Sequence, residues 1–179
     1  MRIILDTIKS MITWVNQSPD DLPISVCIVD APGRMCMKTR YNRFNLKRRI
    51  ASFDVFSPSH LQAWARLISY GGNPEHKKNP GDFGLTPPAD PRQGKSLCDV
   101  AKIFSRDVAL ALLKKGVEKG LVSDRVENGW PKNIWSVAEG GIALEAQLEN
   151  PQTGRYHGYP MPDSDPLAAE VLDRWRCHE

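Results

Sequence analysis

The chain has 179 residues, of which 41% are hydrophobic, and its formal net charge is +3. A chain of this length and composition can bury one core or form two small modules, so we expect a soluble globular protein. No apolar run is long enough to cross a bilayer, and the charges at Arg2 and Asp6 exclude the core of a signal peptide. The four cysteines form no C-x-x-C pair, which excludes a zinc ribbon or a dense disulfide scaffold and predicts a cytoplasmic protein with reduced thiols.

Residues 1–70 are predicted to form an N-terminal portion of helix, β-hairpin and helix. The periodicity of residues 1–16 predicts an amphipathic helix, and the segments ISVCIVD and MCMKTRYNRF predict paired strands. Ser57 is the predicted start of a second helix, which stops at Gly71 and Gly72. Residues 31–53 carry no acidic residue and seven basic ones, which suits a nucleic-acid ligand or a solvated hairpin face. The basic residues are Arg34, Lys38, Arg40, Arg43, Lys47, Arg48 and Arg49.

Residues 71–97 are predicted to form a functional loop rich in proline and glycine. Pro74 and Pro80 interrupt helical hydrogen bonding, so no helix is expected between Asn73 and Leu85. Irregular surface loops often carry binding and catalytic residues. The candidates in this loop are His76, Lys77, Lys78, Asp82, Arg92 and Lys95. The structural alternative is a β-turn in which the Asp side chain bonds backbone amides, Phe83 packs in the core and the lysines are solvated.

Residues 98–163 are predicted to form helices followed by a small antiparallel sheet, and residues 164–179 a final short helix. SLCDVAKIF predicts a short helix, and Ser105 is the predicted N-cap of the longer helix after it. NIWSV, IALEAQL and RYHGYP are typical of strands, with turns between them. DPLAAEVLDRWR has apolar residues along one helical side. The predicted fold class is therefore α+β, with C-terminal helices packed on a small antiparallel sheet.

Residues 106–141 have the element order of a winged-helix domain. A helix is followed by a strand, a turn at Gly-Trp-Pro and a returning strand. In such a module the helix would enter the major groove of DNA, and Arg125, Trp130 and Lys132 would lie at the wing. Any helix packed on a hairpin would have the same order, so both interpretations stay open.

The segment HKKNPGDFGL, residues 76–85, resembles part of the colicin D-type ribonuclease toxin domains, a group with barnase-like, colicin-like and RelE-like members. In those domains Lys and His directly precede a Gly-Asp-Phe-Gly turn, and a helix and a small antiparallel sheet follow. The resemblance implies that Lys77 or Lys78, together with His76, acts on the scissile phosphate of RNA. The chain departs from the pattern at Asn79, where the family has its histidine.

A ribonuclease that works without a metal needs a base for the 2′-hydroxyl proton, an acid for the leaving oxygen and cations beside the phosphate. Histidine suits the proton steps because its ordinary pKa lies near neutral pH. We therefore expect His76 and His157 as the acid–base pair and Glu145 as an alternative base. The catalytic candidates are His76, His157, Lys77, Asp82 and Glu145, and the candidate nucleic-acid contacts are Lys78, Arg92, Lys95, Arg125, Lys132, Arg40, Arg43, Lys47, Arg48 and Arg49, with Trp135 or Tyr156 as a stacking platform.

Together these features predict a bacterial protein that acts on nucleic acid, most simply a small metal-independent ribonuclease of toxin type. Its expected partners are RNA or DNA and a cognate inhibitor or complex-partner protein, with no membrane partner. No cofactor is predicted, because the competent metal ligands show no H-E-x-x-H or similar spacing. The alternatives are a winged-helix nucleic-acid-binding regulator and a non-catalytic accessory or assembly subunit.

Overall fold

The computed structural model of the protein describes residues 45, 47–91 and 93–177. The chain divides into two compact units, Met1–Thr39 and Arg40–Glu179, and all the described residues belong to the second. The predicted N-terminal helix and the predicted hairpin of ISVCIVD and MCMKTRYNRF lie outside the described residues. Within the described part, helices and a mixed sheet confirm the α+β class.

The regular structure of the described part consists of α-helices, strands and short 3-10 turns. The helices are α1 (Pro58–Leu67), α2 (Arg106–Glu118) and α3 (Pro166–Arg176). The strands are β1 (Ser69–Tyr70), β2 (Val126–Glu127), β3 (Trp130–Pro131), β4 (Asn133–Ala138), β5 (Ile142–Asn150) and β6 (Arg155–Pro160). One sheet has the order β1-β6-β5-β4 and is antiparallel except where β1 pairs with β6, and β2 and β3 form a separate antiparallel ribbon.

Each α-helix begins after a residue whose side chain caps it. The side chains of Ser57, Ser105 and Asp165 accept hydrogen bonds from backbone N–H groups in the first turns of α1, α2 and α3. These starts agree with the prediction. Helix α1 ends at Leu67, before the predicted stop at Gly71, because Ser69 and Tyr70 pair with β6.

The short helix predicted over SLCDVAKIF is wrong. Residues 98–102 form successive turns, and Lys102 adopts a left-handed conformation with φ of 55°, which a helix does not tolerate. The Asp99 side chain is bonded instead to the backbone N–H of Lys78 at 2.9 Å, and the backbone N–H of Cys98 donates to the His76 carbonyl at 2.8 Å. Tertiary hydrogen bonds to the loop therefore override the local helical pattern.

The predicted loop after β1 also contains regular local structure. It contains two 3-10 turns, Pro74–His76 and Pro80–Phe83, and each has a proline in its first turn. Gly84 follows the second turn in the left-handed region, where glycine is the favoured residue. Phe83 is 2% exposed and packs in the core, as the structural alternative predicted.

The two faces of the four-stranded sheet differ in what covers them. Ile134, Ala146 and Tyr156 point to one face and pack with residues of α1 and α2. On the opposite face, the strand register produces three successive rows of neighbouring side chains. The rows are Val137, Ala143 and Met161; Trp135, Glu145 and Tyr159; and Asn133, Gln147 and His157. Helix α3 packs on the apolar end of this face, so the polar end is left for another role.

Replacing Gly116 by Ala should destabilise the protein, although a Gly-to-Ala change inside a helix usually stabilises it. In a helix interior Ala is normally favoured over Gly by about 1 kcal/mol. A Cβ at Gly116, however, would overlap the Trp135 carbonyl oxygen on β4, and forced overpacking costs about 1–3 kcal/mol. Urea unfolding should give a lower midpoint for Gly116→Ala, whereas Gly81→Ala, which adds its Cβ in open space, should be nearly neutral. A Gly116→Ala midpoint at or above that of the wild type would contradict this packing.

Candidate functional site

A polar cleft of about 480 Å³ opens at the polar end of the sheet face that carries Glu145 and Tyr159. It is lined by Asn45, Lys47, Arg48, Arg125, Glu127, Lys132, Asn133, Gln147, Leu148, Glu149, Pro151 and Tyr159. We call it the basic cleft, because four of these side chains are basic and two are acidic. The basic residues come from the segment before α1, from the turn before β2 and from the junction of β3 and β4. All four were predicted as nucleic-acid contacts.

The acidic side chains of the basic cleft are paired. Glu127 lies 2.8 Å from the Lys132 ammonium, and Glu149 lies 3.2 Å from the Arg155 guanidinium. Both pairs are half exposed and therefore contribute little to stability. Lys47 and Arg125 are exposed, and neither forms an ion pair with another residue of the described ranges. The cleft thus keeps positive charge that is available to an anionic ligand.

Arg48 connects the segment before α1 to the sheet and to α3. Its guanidinium forms ion pairs with Glu145 on β5 and, at 2.8 Å, with Asp165 at the N-cap of α3. Its Nε donates to the backbone carbonyl of Asn45 at 3.2 Å. The planar fork of arginine can serve two carboxylates at once. Arg48 is therefore held in a fixed orientation in the wall of the basic cleft.

Glu145 lies beneath Arg48 and is 0% exposed. One carboxylate oxygen is paired with Arg48, and the other accepts a hydrogen bond from Asn133 at 2.7 Å. Burial raises the pKa of Glu145 above its ordinary value, and the Arg48 guanidinium opposes that rise. The alternative base expected at Glu145 is thus turned toward protein partners instead of the open cleft. Its position fits a residue that holds Arg48 in place.

The loop and the sheet meet at His76 and Tyr159. The two rings are stacked, with centroids 4.9 Å apart and planes 20° from parallel. His157 lies two residues before Tyr159 on β6 and therefore on the same face of the sheet, opposite Gln147 of the basic cleft. This contact joins the loop to β6. His76 and His157 therefore lie at the same end of the sheet.

Both histidines are poised as neutral rings. Burial lowers the pKa of His76 and of His157, and the Lys95 ammonium lowers both further. His76 Nδ1 lies 2.7 Å from the carbonyl oxygen of Ser96, so Nδ1 carries the proton and Nε2 of the neutral ring is an acceptor. A neutral imidazole near neutral pH can take a proton from a hydroxyl group.

Lys77 is not a solvated or phosphate-binding residue. Its side chain is 0% exposed, and its ammonium lies 3.1 Å from Asp99, 3.1 Å from the Ile103 carbonyl oxygen and 3.4 Å from Asp82. The ammonium also lies 4.9 Å from the centroid of the Phe83 ring. The catalytic prediction for Lys77 is therefore wrong, because its side chain is buried. The Lys77 ammonium instead connects the loop to the turn at residues 99–103. Asp82 is a partner in that network.

The two predicted stacking platforms are also wrong. Trp135 and Tyr156 are each 0% exposed, so no nucleobase can reach either ring. The Tyr156 hydroxyl donates to the Pro131 carbonyl at 2.7 Å on the face covered by α1 and α2. Tyr159 is the aromatic residue that lines the basic cleft. Strict alternation along RYHGYP carries the signal that was missed, because it separates Tyr156 from His157 and Tyr159.

The remaining predicted contacts are divided between two places. Lys78 and Lys95 border a separate proline-rich groove of about 320 Å³, and Lys95 lies 3.7 Å from Glu75. Arg49 is exposed. Arg40, Arg43 and Arg92 lie outside the described residues. No three His, Cys, Asp or Glu side chains of the described ranges are grouped as metal ligands would be.

No family model matches the chain, and neither does any curated protein or solved structure. In the described residues, no helix combines the length and apolar character needed to span a membrane. The chemistry of the basic cleft must therefore be inferred from the residues that line it.

Removing the Lys77 side chain should destabilise the fold far more than removing its neighbour. Lys77→Ala would leave Asp99 without its buried cation, and breaking a buried ion pair from one side costs about 3 kcal/mol or more. Lys78→Ala is the matched control, because Lys78 is exposed and an exposed substitution changes stability by about 0.5 kcal/mol at most. Urea unfolding of both variants measures the difference. Equal losses would show that the Lys77 network is not structural.

Stability should fall as the pH drops below the ordinary pKa of histidine. Because burial lowers the pKa of His76 in the folded state, the neutral ring contributes stability that is present above about pH 6.5. That contribution is lost as the pH falls through the lower folded-state pKa. The melting temperature of His76→Gln should therefore depend less steeply on pH between about 7 and 5 than that of the wild type. The exposed His60→Gln variant should keep the wild-type slope, and identical slopes for all three proteins would contradict the assignment.

Proposed function

We propose that the protein binds RNA in the basic cleft and cleaves it, as a small metal-independent ribonuclease of toxin type. One observation carries this proposal: four basic side chains line a cleft that also contains Tyr159, whose ring stacks on His76 and which lies on the same face of β6 as His157. Of the residues that the resemblance to colicin D-type ribonuclease domains implies, His76 is the one that contacts a residue of this cleft. The proposal depends on the cleft and not on Lys77.

The basic cleft supplies what binding of an RNA backbone requires. Lys47, Arg125 and Lys132 offer charge at its rim, and neutralised phosphates release counterions on binding. The Arg48 guanidinium is already shared between Glu145, Asp165 and the Asn45 carbonyl, so it holds the wall of the cleft in place. Lys47 and Arg125 are exposed and form no ion pair within the described residues, so they are the strongest candidates for the contact that orients the scissile phosphate.

Proton transfer falls to the two histidines. In the proposed step His157 takes the 2′-hydroxyl proton, the 2′-oxygen forms a bond to phosphorus, and the bond to the leaving 5′-oxygen breaks. His76 gives a proton to that oxygen from its protonated form, which is the minor form at neutral pH because burial lowers its pKa. The lowered pKa of His157 keeps its ring neutral, and hence able to accept a proton, at neutral pH. Lys47 and Arg125 stabilise the negative charge that develops on the phosphate oxygens.

The decisive test is digestion of total RNA and of tRNA by the purified full chain in EDTA. Wild-type protein should give discrete fragments, and His157→Ala should lower the cleavage rate at least about a hundredfold, since a positioned base contributes that much or more. His76→Ala should also lose activity, while His60→Ala, which changes an exposed histidine on α1, should cut as the wild type does. Intact RNA at every protein concentration would refute the ribonuclease proposal.

A nucleic-acid-binding regulator is the second candidate, and one observation favours it. The β2–β3 ribbon borders the basic cleft through Arg125, Glu127 and Lys132, where a basic wing would contact a backbone. In that case the same digestion would leave RNA intact, while binding would weaken steeply with salt. Lys132→Ala would then reduce the salt dependence and His157→Ala would not, which separates the two candidates.

A further inference from the structure

Gln147 occupies the centre of the polar end of the sheet. It lies on β5, with Asn133 as its neighbour on β4 and His157 as its neighbour on β6. It is half-buried and lines the basic cleft. Gln147 and Asn133 are the two carboxamide side chains of this row, so they are the neutral groups there with both donor and acceptor atoms.

The hydrogen bonds of Gln147 fix which way its amide faces. Its Nε2 donates to the Tyr159 hydroxyl at 2.8 Å. Since the oxygen and nitrogen of a carboxamide lie on opposite sides of the group, this contact directs the carbonyl oxygen away from the Tyr159 hydroxyl.

This orientation leaves the Gln147 carbonyl oxygen, Oε1, as an unused acceptor. No residue of the described ranges donates to it, and it is absent from the buried polar atoms without partners, so solvent reaches it. Asn133 also has its Nδ2 engaged, by Glu145, but Gln147 is the one of the two that contacts the aromatic residue of the cleft, Tyr159. Gln147 is therefore the amide of this row that presents a fixed acceptor to whatever enters the basic cleft.

Contacts between basic side chains and phosphates carry no base information, whereas a fixed acceptor does. The amino groups at C4 of cytosine and C6 of adenine donate hydrogen bonds, while uracil and hypoxanthine have carbonyl oxygens at the same positions. Two facing carbonyl oxygens would leave a desolvated acceptor unpaired, which is costly. Tyr159, whose ring is already ordered by His76, lies beside this acceptor and offers an aromatic surface for the base.

We propose that Gln147 determines base specificity in the basic cleft, by accepting a hydrogen bond from the exocyclic amino group of adenine or cytosine. This inference rests on the proposed binding of RNA in the same cleft. Phosphate contacts cannot supply such a preference for one base over another, whereas the single oxygen atom Oε1 of Gln147 can.

The experiment measures binding of the full chain to end-labelled uridine octamers in which the fifth base is cytosine, uracil, adenine or hypoxanthine. All sugars carry 2′-fluoro groups, so the strands lack the hydroxyl nucleophile and stay intact. Wild-type protein should bind cytosine about tenfold more tightly than uracil, and adenine about tenfold more tightly than hypoxanthine. Gln147→Met, which keeps the side-chain volume, and Gln147→Ala should bring both ratios close to one, while overall affinity remains set by the basic residues.

Gln62→Ala is the matched control, because Gln62 is an exposed glutamine on α1, and it should keep the wild-type ratios. Ratios near one for wild type, or unchanged ratios in both Gln147 variants, would overturn the inference. Base-selective binding by a protein that leaves natural RNA intact would refute the ribonuclease proposal alone. Cleavage of natural RNA without base-selective binding would refute this inference alone, and failure to bind any octamer would overturn both.

Discussion

The ion pairs of Arg48 with Glu145 and Asp165 join the parts of the structure that form the basic cleft. They link the segment before α1, the central strand β5 and the first turn of α3. Desolvating two carboxylates is expensive, and one guanidinium offsets the cost only because its geometry serves both at once. Losing one partner would leave a buried charge without compensation. The wall of the cleft and the core beneath it therefore depend on the same three side chains.

The sheet explains why the cleft lies where it does. Along the face that α3 partly covers, successive rows change from apolar to polar as the strands run away from the helix. Helix α3 buries the row with Val137 and Ala143, and the row with Asn133, Gln147 and His157 has no such cover among the apolar clusters. Because the rows are set by strand register, a shift of one residue would turn the polar groups into the core. The site is thus a consequence of register as much as of residue type.

The parts of the fold that could be predicted are those encoded by neighbouring residues. Ser105 caps α2 as expected, and the three segments separated by turns, NIWSV, IALEAQL and RYHGYP, form the three antiparallel strands. The helix expected over SLCDVAKIF does not form, because Asp99 is bonded to Lys77 and Lys78 in another segment. A local pattern cannot reveal hydrogen bonds that only the tertiary fold provides.

The candidate site was predictable in its residue types but not in its arrangement. A run of basic residues indicates an anionic ligand, and Lys47, Arg48, Arg125 and Lys132 do share a cleft. Nothing in the sequence shows that Arg48 meets a carboxylate 97 residues away, or that Lys77 is buried while Lys78 is exposed. Tyr159 was missed in favour of Tyr156, although strand alternation distinguishes them. Long-range pairing and burial are properties of the fold, and these decide which of the candidates can meet a ligand.

Asp165 has two tasks that cannot be separated. One carboxylate oxygen caps the first turn of α3 by accepting from the backbone of Leu167 at 3.1 Å, and the other pairs with Arg48. The free energy of starting the helix is consequently coupled to the position of a cation in the cleft wall. Any variation tolerated at this residue must satisfy a backbone amide and a guanidinium together. The stability of helix α3 and the position of the wall of the basic cleft are therefore energetically coupled.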